Sequence, residues 1–98
     1  MARIRWSVEA ADDLAGIHAH IARDSPQYAA ATAGRVVAAV DGLAEFPESG
    51  RVVPELGDLV VRELIQGAYR IVYEVRPDGW VEVLTVFHGA RRFPDLGR

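Results

Sequence analysis

The side chains in this chain that are best suited to chemistry are a group of basic residues near the C-terminus and one acidic residue upstream of them. Arg70 lies in an alternating apolar segment, His88 closes the next such segment, and Arg91 and Arg92 follow it. Cleavage of RNA through its 2′-hydroxyl needs a base for that proton, positive charge near the phosphate and an acid for the leaving oxygen. Imidazole can act as base or acid, and guanidinium can hold phosphate. With Glu63 as a second possible base, Arg70, His88 and Arg91 form a candidate ribonuclease site.

The same residues also have a structural interpretation. If Gln66-Gly67 is a two-residue hairpin turn, Glu63 lies directly across from Arg70, and a cross-strand ion pair of this kind contributes about 0.2–1 kcal/mol. Arg91 and Arg92 follow the end of a strand, where an arginine pair has nothing to pack against, so they are candidates for contacts with carboxylates or phosphates of a partner. Both interpretations stay open at this point.

Metal and cofactor chemistry has little support in the sequence. The chain has no cysteine, which excludes disulfides, thiol catalysis and Cys-ligated zinc. His18 and His20 have no acidic or cysteine partner at ligand spacing. We therefore expect neither a metal nor a cofactor.

Two amphipathic helices are predicted in the first half of the chain, after a short strand at residues 3–6. Ser7 is a suitable N-cap for the first helix, and Ser25-Pro26 combines a hydroxyl cap with proline at the first helical position of the second. The second helix should end at Phe46, because Pro47 disfavours helical geometry in the residue before it. The apolar stripes of the two helices have helical spacing and consist of Ala10, Leu14, Ile17 and Ile21, and of Ala29, Ala33, Val36, Val40 and Leu43.

The periodicity changes from helical to alternating in the second half. Residues 60–65, 69–76 and 80–87 are predicted strands, separated by turn signals. The predicted fold is α+β: a helical hairpin packed on one face of a four-stranded antiparallel sheet, in the order β-α-α-β-β-β. A chain of 98 residues of this composition is expected to form a single domain.

Charge and hydropathy narrow the class of protein. All 11 basic residues are arginine, against 14 acidic residues, for a net charge of −3. General electrostatic binding to nucleic acid is therefore not expected, since such proteins usually present a basic surface. No apolar run has the length of a membrane span and no signal peptide is evident, so we expect a cytoplasmic protein without a membrane partner.

The order of several short motifs resembles that of the RelE/ParE superfamily of bacterial toxins, over nearly the whole chain. The matching segments are A-x-x-D-L-x-x-I from Ala10, F-P-x-S-G-R from Phe46, R-E-L from Arg62, Y-R-I-V-Y from Tyr69 and L-T-V-F-H-G-A-R from Leu84. The resemblance implies the toxin of a type II toxin–antitoxin module, which inhibits growth, serves in plasmid stabilisation and is neutralised in a hetero-oligomer by a cognate antitoxin. The predicted partner-binding residues are Arg62, Arg91, Arg92, Leu14, Ile21, Val36 and Val40, the last four because a groove at the helical hairpin suits an amphipathic helix.

The resemblance leaves two classes of target. RelE-like members cleave mRNA at the ribosome, and in them an arginine at the position of Arg70 lies at the scissile phosphate. ParE-like members inhibit DNA gyrase without catalytic residues. This chain lacks the lysines of the basic nucleases, and Phe93 stands where they have a tyrosine acid. The ParE branch is therefore favoured, with an mRNA endonuclease as the alternative and a non-toxic antitoxin-binding relic as a second alternative.

Overall fold

The structure is a computed structural model that describes residues 1–97. The elements follow one another as β1 (Arg3–Trp6), α1 (Val8–Ala22), α2 (Pro26–Asp41), a 3-10 turn (Gly42–Ala44), β2 (Arg51–Val52), β3 (Val61–Gln66), β4 (Tyr69–Val75) and β5 (Trp80–His88). The strands form one sheet in the order β1-β5-β4-β3-β2. The α+β class and the helical hairpin are as predicted.

Both helices begin at the predicted caps. The Ser7 hydroxyl oxygen accepts the Ala10 N–H at 3.0 Å, and the Ser25 hydroxyl oxygen accepts the Tyr28 N–H at 3.1 Å. The predicted end of the second helix at Phe46 is wrong, because α2 ends at Asp41 and the chain continues through the 3-10 turn. Within residues 1–97, neither helix has the length and hydropathy needed to cross a bilayer.

The sheet has five strands and is mixed, so the prediction of a four-stranded antiparallel sheet needs correction. β2 contains only two residues, which is too short to show an alternating pattern in the sequence. β1 pairs with β5 in parallel. No tight turn joins these two strands, so nothing in the local sequence determines their relative direction.

The β3–β4 hairpin has a different register from the predicted one. Its two-residue turn is Gly67-Ala68, with Gln66 paired to Tyr69. Gly67 has a φ of +58°, whereas the φ of Ala68 is not positive. A type I′ turn needs a positive φ at both central residues, so this is a type II′ turn with glycine at its first central position. Glu63 therefore lies opposite Val72 and not opposite Arg70, which pairs with Ile65.

Apolar clusters cover both faces of the sheet. The helices pack on one face, where Val36 and Val40 are fully buried beside Ile71 and Val86. The opposite face carries a cluster of Val53, Val61, Val72 and Phe87, covered by partly buried Leu56, Phe93 and Leu96 from the β2–β3 loop and the C-terminal segment. Val36 and Val40, which were predicted to bind a partner, have no accessible surface in the folded chain, and their part in partner binding stays a prediction.

Candidate functional site

The Arg70 guanidinium is enclosed by four side chains on the sheet face opposite the helices. Its Nε donates to Glu63 Oε1 at 2.6 Å, and its Nη1 and Nη2 donate to the two carboxylate oxygens of Glu55 at 2.8 and 2.7 Å. Its Cζ lies 5.2 Å from the ring centroids of both Phe87 and Phe93, within cation–π range. The Arg70 side chain is only 12% exposed. Its charge and its fork of donors are thus occupied within the protein.

Glu63 is the buried centre of this ion-pair network. Its side chain has no exposed surface, and its Oε2 also accepts from Arg51 Nε at 2.7 Å. The predicted ion pair between Glu63 and Arg70 is present, but it is diagonal across the two strands because of the shifted register. A buried carboxylate needs such partners, since an unpaired buried charge is costly.

The network shifts the pKa values of its outer members. The hydrogen bonds that Arg70 donates to Glu55 lower the pKa of Glu55 to about 2, and those that it donates to Glu55 and Glu63 raise the pKa of Arg70. Both groups therefore stay charged at neutral pH. The network ties the β2–β3 loop, which carries Glu55, to β3 and β4.

His88 lies on the other face of the sheet. Its ring packs edge-on against Tyr69, with centroids 5.6 Å apart, and Tyr69 belongs to the apolar cluster under the helices. The Ala90 N–H donates to His88 Nδ1 at 3.0 Å. In the neutral imidazole the proton is therefore assigned to Nε2. His88 and Arg91 line one groove of about 520 Å³, whose wall is α1.

The candidate ribonuclease residues are therefore divided by the sheet. Arg70 and its strand partner Phe87 point to one face, whereas the next residue pair, Tyr69 and His88, points to the other. Glu63 lies with Arg70, and Arg91 lines the groove with His88. Glu63 thus meets Arg70 on one face, and His88 meets Arg91 on the other, but the sheet separates these two pairs.

The remaining predicted contact residues differ in accessibility. Arg91 and Arg92 are exposed, and neither forms an ion pair with any residue in 1–97. Arg62 is half-buried, and its Nη1 donates to the carbonyl oxygens of Gly50 and Glu48 at 3.0 and 3.4 Å. Leu14 and Ile21 are half-buried on α1. Partner binding by these five residues, Arg62, Arg91, Arg92, Leu14 and Ile21, stays a prediction.

Asp13 binds β5 just beyond the residues that pair with β1. Its Oδ2 accepts the Thr85 hydroxyl at 2.6 Å and the Val86 N–H at 3.1 Å. Just before this point β5 carries an extra residue, Leu84, as a bulge, and its carbonyl accepts the Ser7 hydroxyl at 3.1 Å. The A-x-x-D-L-x-x-I motif thus supplies a structural carboxylate that docks α1 on the sheet.

Sequence reasoning missed the contribution of Glu55 and Phe93 to the Arg70 cluster. Glu55 lies in a loop without periodicity, so nothing in the sequence indicated which way its side chain points. Phe93 was considered only as a replacement for a tyrosine. In the structure its ring packs edge-on against Phe87 on the sheet. Neither contact could be derived from spacing.

Solved structures with a similar fold are toxin–antitoxin complexes. A chain in the chromosomal ParDE system from P. aeruginosa aligns with a TM-score of 0.74 and 22% identity, over 90% of this chain and 96% of that one. A chain in the RelBE2 complex from Mycobacterium tuberculosis aligns with a TM-score of 0.62 and 24% identity, over 89% of this chain and 96% of that one. At these identities the likeness shows the fold alone.

Sequence comparisons define the family. The chain is 38% identical over 96 residues to the putative toxin Y4kP of Sinorhizobium fredii, covering 96% of this chain and 95% of the relative. It is 35% identical over 91 residues to toxin RelE2 of Caulobacter vibrioides, covering 93% and 99%. The model of the ParE toxin of the type II toxin–antitoxin system parDE matches residues 4–93. The chain belongs to this ParE toxin family, and the superfamily resemblance is confirmed.

Proposed function

We propose that this type II toxin inhibits growth by binding and inhibiting DNA gyrase in the cytoplasm, and that it does not hydrolyse RNA. The observation that carries the proposal is the separation of Arg70 from His88 by the sheet. A general acid or base must reach the atom whose proton it transfers, while the positive group holds the same phosphate. Groups on opposite faces of a sheet cannot do this to one phosphodiester.

The hydrogen bonds of Arg70 to Glu55 and Glu63 support the same proposal. A phosphate would have to displace the bidentate Glu55 carboxylate and compete with Glu63, which has no access to solvent. Gyrase as the target is implied by the family, whose ParE members act on that enzyme. We also propose that a cognate antitoxin neutralises this chain, as the ParDE and RelBE2 neighbours are toxin–antitoxin complexes.

A ribosome-dependent mRNA endonuclease is the second candidate, favoured by the 35% identity to a toxin named RelE2. In that case His88 and Arg91, which share a groove, would act without Arg70. A non-toxic relic that only binds the antitoxin is a third outcome. It would be recognised by the absence of growth arrest.

Gyrase inhibition and mRNA cleavage differ in which cellular process they would stop first. The toxin would be induced in growing cells with the antitoxin repressed, and DNA and protein synthesis would be followed separately by pulse labelling. The proposal predicts an early fall in DNA synthesis, together with inhibition of supercoiling when purified toxin is added to gyrase. An early translation arrest with cut mRNA, and gyrase unaffected by the purified toxin, would contradict it.

A further inference from the structure

A small pocket between α2, the β3–β4 turn and the end of β5 differs in its chemistry from two larger grooves within residues 1–97. It has a volume of about 240 Å³. The two larger grooves among residues 1–97 both contain carboxylates: Glu9, Asp13, Glu82 and Asp95 in one, Asp12 and Asp13 in the other. The small pocket has no acidic residue among its described lining residues. The chain as a whole has a net charge of −3, so a pocket lined by a basic residue without acidic ones differs from the average surface.

The pocket is lined by polar side chains that the fold leaves available. Tyr28, Thr32 and Arg35 follow one another at helical spacing on a single face of α2. None of these three side chains forms a hydrogen bond or an ion pair with another residue of 1–97. Thr32 is 8% exposed, and no buried side-chain oxygen within residues 1–97 lacks a hydrogen-bond partner, so the unpaired Thr32 hydroxyl retains access to solvent. Two hydroxyls and a guanidinium with unused donors thus belong to residues that line this pocket, and Tyr28 and Arg35 are exposed.

Arg35 has no acidic neighbour on its own helix. The positions one turn away in each direction are Ala31, Thr32, Ala38 and Ala39. An arginine on a helix surface is often paired at this spacing, and here it is not. Its charge is thus available to a ligand.

The opposite wall adds further donors. His88 has its Nδ1 occupied by the Ala90 N–H, so Nε2 is the ring nitrogen left for a ligand, and Tyr69 holds the ring edge-on. Gln66 and the Gly67-Ala68 turn complete the wall. The donors thus come from three separate parts of the chain that line the pocket: α2, the β3–β4 turn and the end of β5. A tetrahedral oxyanion can accept from several directions at once, whereas the acceptor sites of a carboxylate lie near one plane.

We propose that this pocket is a binding site for a phosphate group, held by Arg35 with the hydroxyls of Tyr28 and Thr32 and with His88. The site is separate from the Arg70 cluster, which lies on the other face of the sheet. The proposal goes beyond the inhibition of gyrase and does not depend on which target the toxin has. It assigns to the toxin a contact with a nucleotide, with a nucleic-acid backbone or with another phosphorylated molecule.

The test is a titration of ¹⁵N-labelled full-length toxin with inorganic phosphate at constant ionic strength, followed by NMR. Saturable shifts are expected for the amides of Gly67 and Ala68 and for the Arg35 side chain. Arg35→Ala should weaken phosphate binding about tenfold or more, and Thr32→Val, which keeps the shape but removes the hydroxyl, about fivefold. Arg3→Ala is the matched control, because it removes the same charge at the far end of β5, beside Trp80. It should leave the affinity unchanged.

Parallel titrations identify the class and source of the anion. Acetate should bind much more weakly than phosphate, while a nucleoside monophosphate that binds more tightly than inorganic phosphate would support a nucleotide source. Equal affinity for these two phosphates would support recognition of the phosphate group alone. Non-saturable shifts, equal losses in Arg35→Ala and Arg3→Ala, or acetate binding as tightly as phosphate would overturn the proposal. None of these results depends on gyrase, so failure here is distinguishable from failure of the proposed function.

Discussion

Arg70 illustrates how environment decides the role of a residue type that is common in nuclease sites. Its guanidinium makes three hydrogen bonds to two carboxylates and packs between two aromatic rings. A guanidinium suits such a position because it presents a rigid fork of donors and a planar face. Here those properties serve the fold, by joining a loop, two strands and the C-terminal segment.

Replacing Arg70 by alanine should destabilise the toxin substantially. The buried Glu63 would keep Arg51 as its partner, so we expect a loss of about 3 kcal/mol, at the low end of the range for breaking a buried ion pair. The free energy of unfolding would be measured in urea. Arg5→Ala, which removes a more exposed ion pair with Glu82, should cost less than about 1 kcal/mol. Equal values for the two variants would contradict the structural role of Arg70.

The Glu55 carboxylate should make stability depend on pH in acid. Its pKa is lowered from 4.5 to about 2 in the folded chain, so its contribution is fully present above pH 4.5 and is lost as the pH falls towards 2. Because Glu55 is 41% exposed, solvent screening limits that contribution to about 1 kcal/mol. The difference in unfolding free energy between wild type and Glu55→Gln should shrink over this pH range. A difference that stays constant from pH 4.5 to 2 would show that the ion pair does not contribute.

Among the connecting segments, the one that leads from the 3-10 turn into β2 makes a close backbone approach to β3 and Tyr73 at Gly50. The Gly50 N–H donates to the Tyr73 hydroxyl oxygen at 2.9 Å. A Cβ at this position would lie 2.5 Å from the Glu63 carbonyl oxygen and 2.6 Å from the Tyr73 hydroxyl oxygen. Burial raises the pKa of Tyr73, which keeps its hydroxyl neutral. The glycine of the F-P-x-S-G-R motif is therefore required by space and not by an unusual φ.

Gly50→Ala should destabilise the chain by about 2 kcal/mol, within the usual range for overpacking. Gly34→Ala is the matched control, because a Cβ at Gly34 meets nothing within 4 Å and this residue lies inside α2. That substitution should stabilise the chain by about 0.5–1 kcal/mol. Thermal unfolding of the two variants would show opposite shifts. A shift in the same direction for both would contradict the close approach at Gly50.

Sequence patterns predicted those elements that have long periodic stretches or a local cap. Ser7 and Ser25 begin the helices as expected, and β3, β4 and β5 fall within a residue or so of their predicted positions. The patterns could not predict β2, the direction of β1 or the hairpin register. A two-residue strand has no period, strand direction depends on distant parts of the chain, and glycine at position 67 fits either of two adjacent turns.

The sequence predicted only some of the residues that meet at the candidate site, and it did not predict their arrangement. Alternation along β4 and β5 places neighbouring residues on opposite faces, yet the cross-strand pairing that puts His88 beside Tyr69 depends on the register. Glu55 and Phe93 reach Arg70 from segments without any periodicity. The sequence therefore indicated candidate residues for the site but could not show which of their side chains are in contact.

In the whole molecule, the sheet face that carries Arg70 and the rim at the end of β5 differ in their access to solvent. The face with Arg70 is closed by the β2–β3 loop and the C-terminal segment, and the rim that carries His88, Arg91 and Arg92 remains open. Exposed arginines at such a rim favour charge-assisted contacts with a partner over a dry catalytic pocket. The open rim is thus where we expect the toxin to meet its target or its antitoxin.

Replacing both Arg91 and Arg92 by alanine should weaken binding of the target or of the antitoxin, and the loss should diminish as salt is raised because exposed charges are screened. The double variant Arg3→Ala with Arg5→Ala removes the same net charge at β1 and is the control. Binding constants would be measured at several salt concentrations. Equal losses in the two double variants would mean that net charge, and not the rim, determines binding.

The central claim, that the toxin acts by binding and not by hydrolysis, is tested most directly by the toxicity of His88→Gln. Glutamine keeps a donor at this position but cannot exchange a proton as imidazole does. Growth inhibition would be measured against the amount of toxin produced, with antitoxin binding as the check that the variant is folded. We predict toxicity within about tenfold of wild type. A loss of about 10²–10⁴-fold in a folded variant is typical of a missing general acid or base and would contradict it.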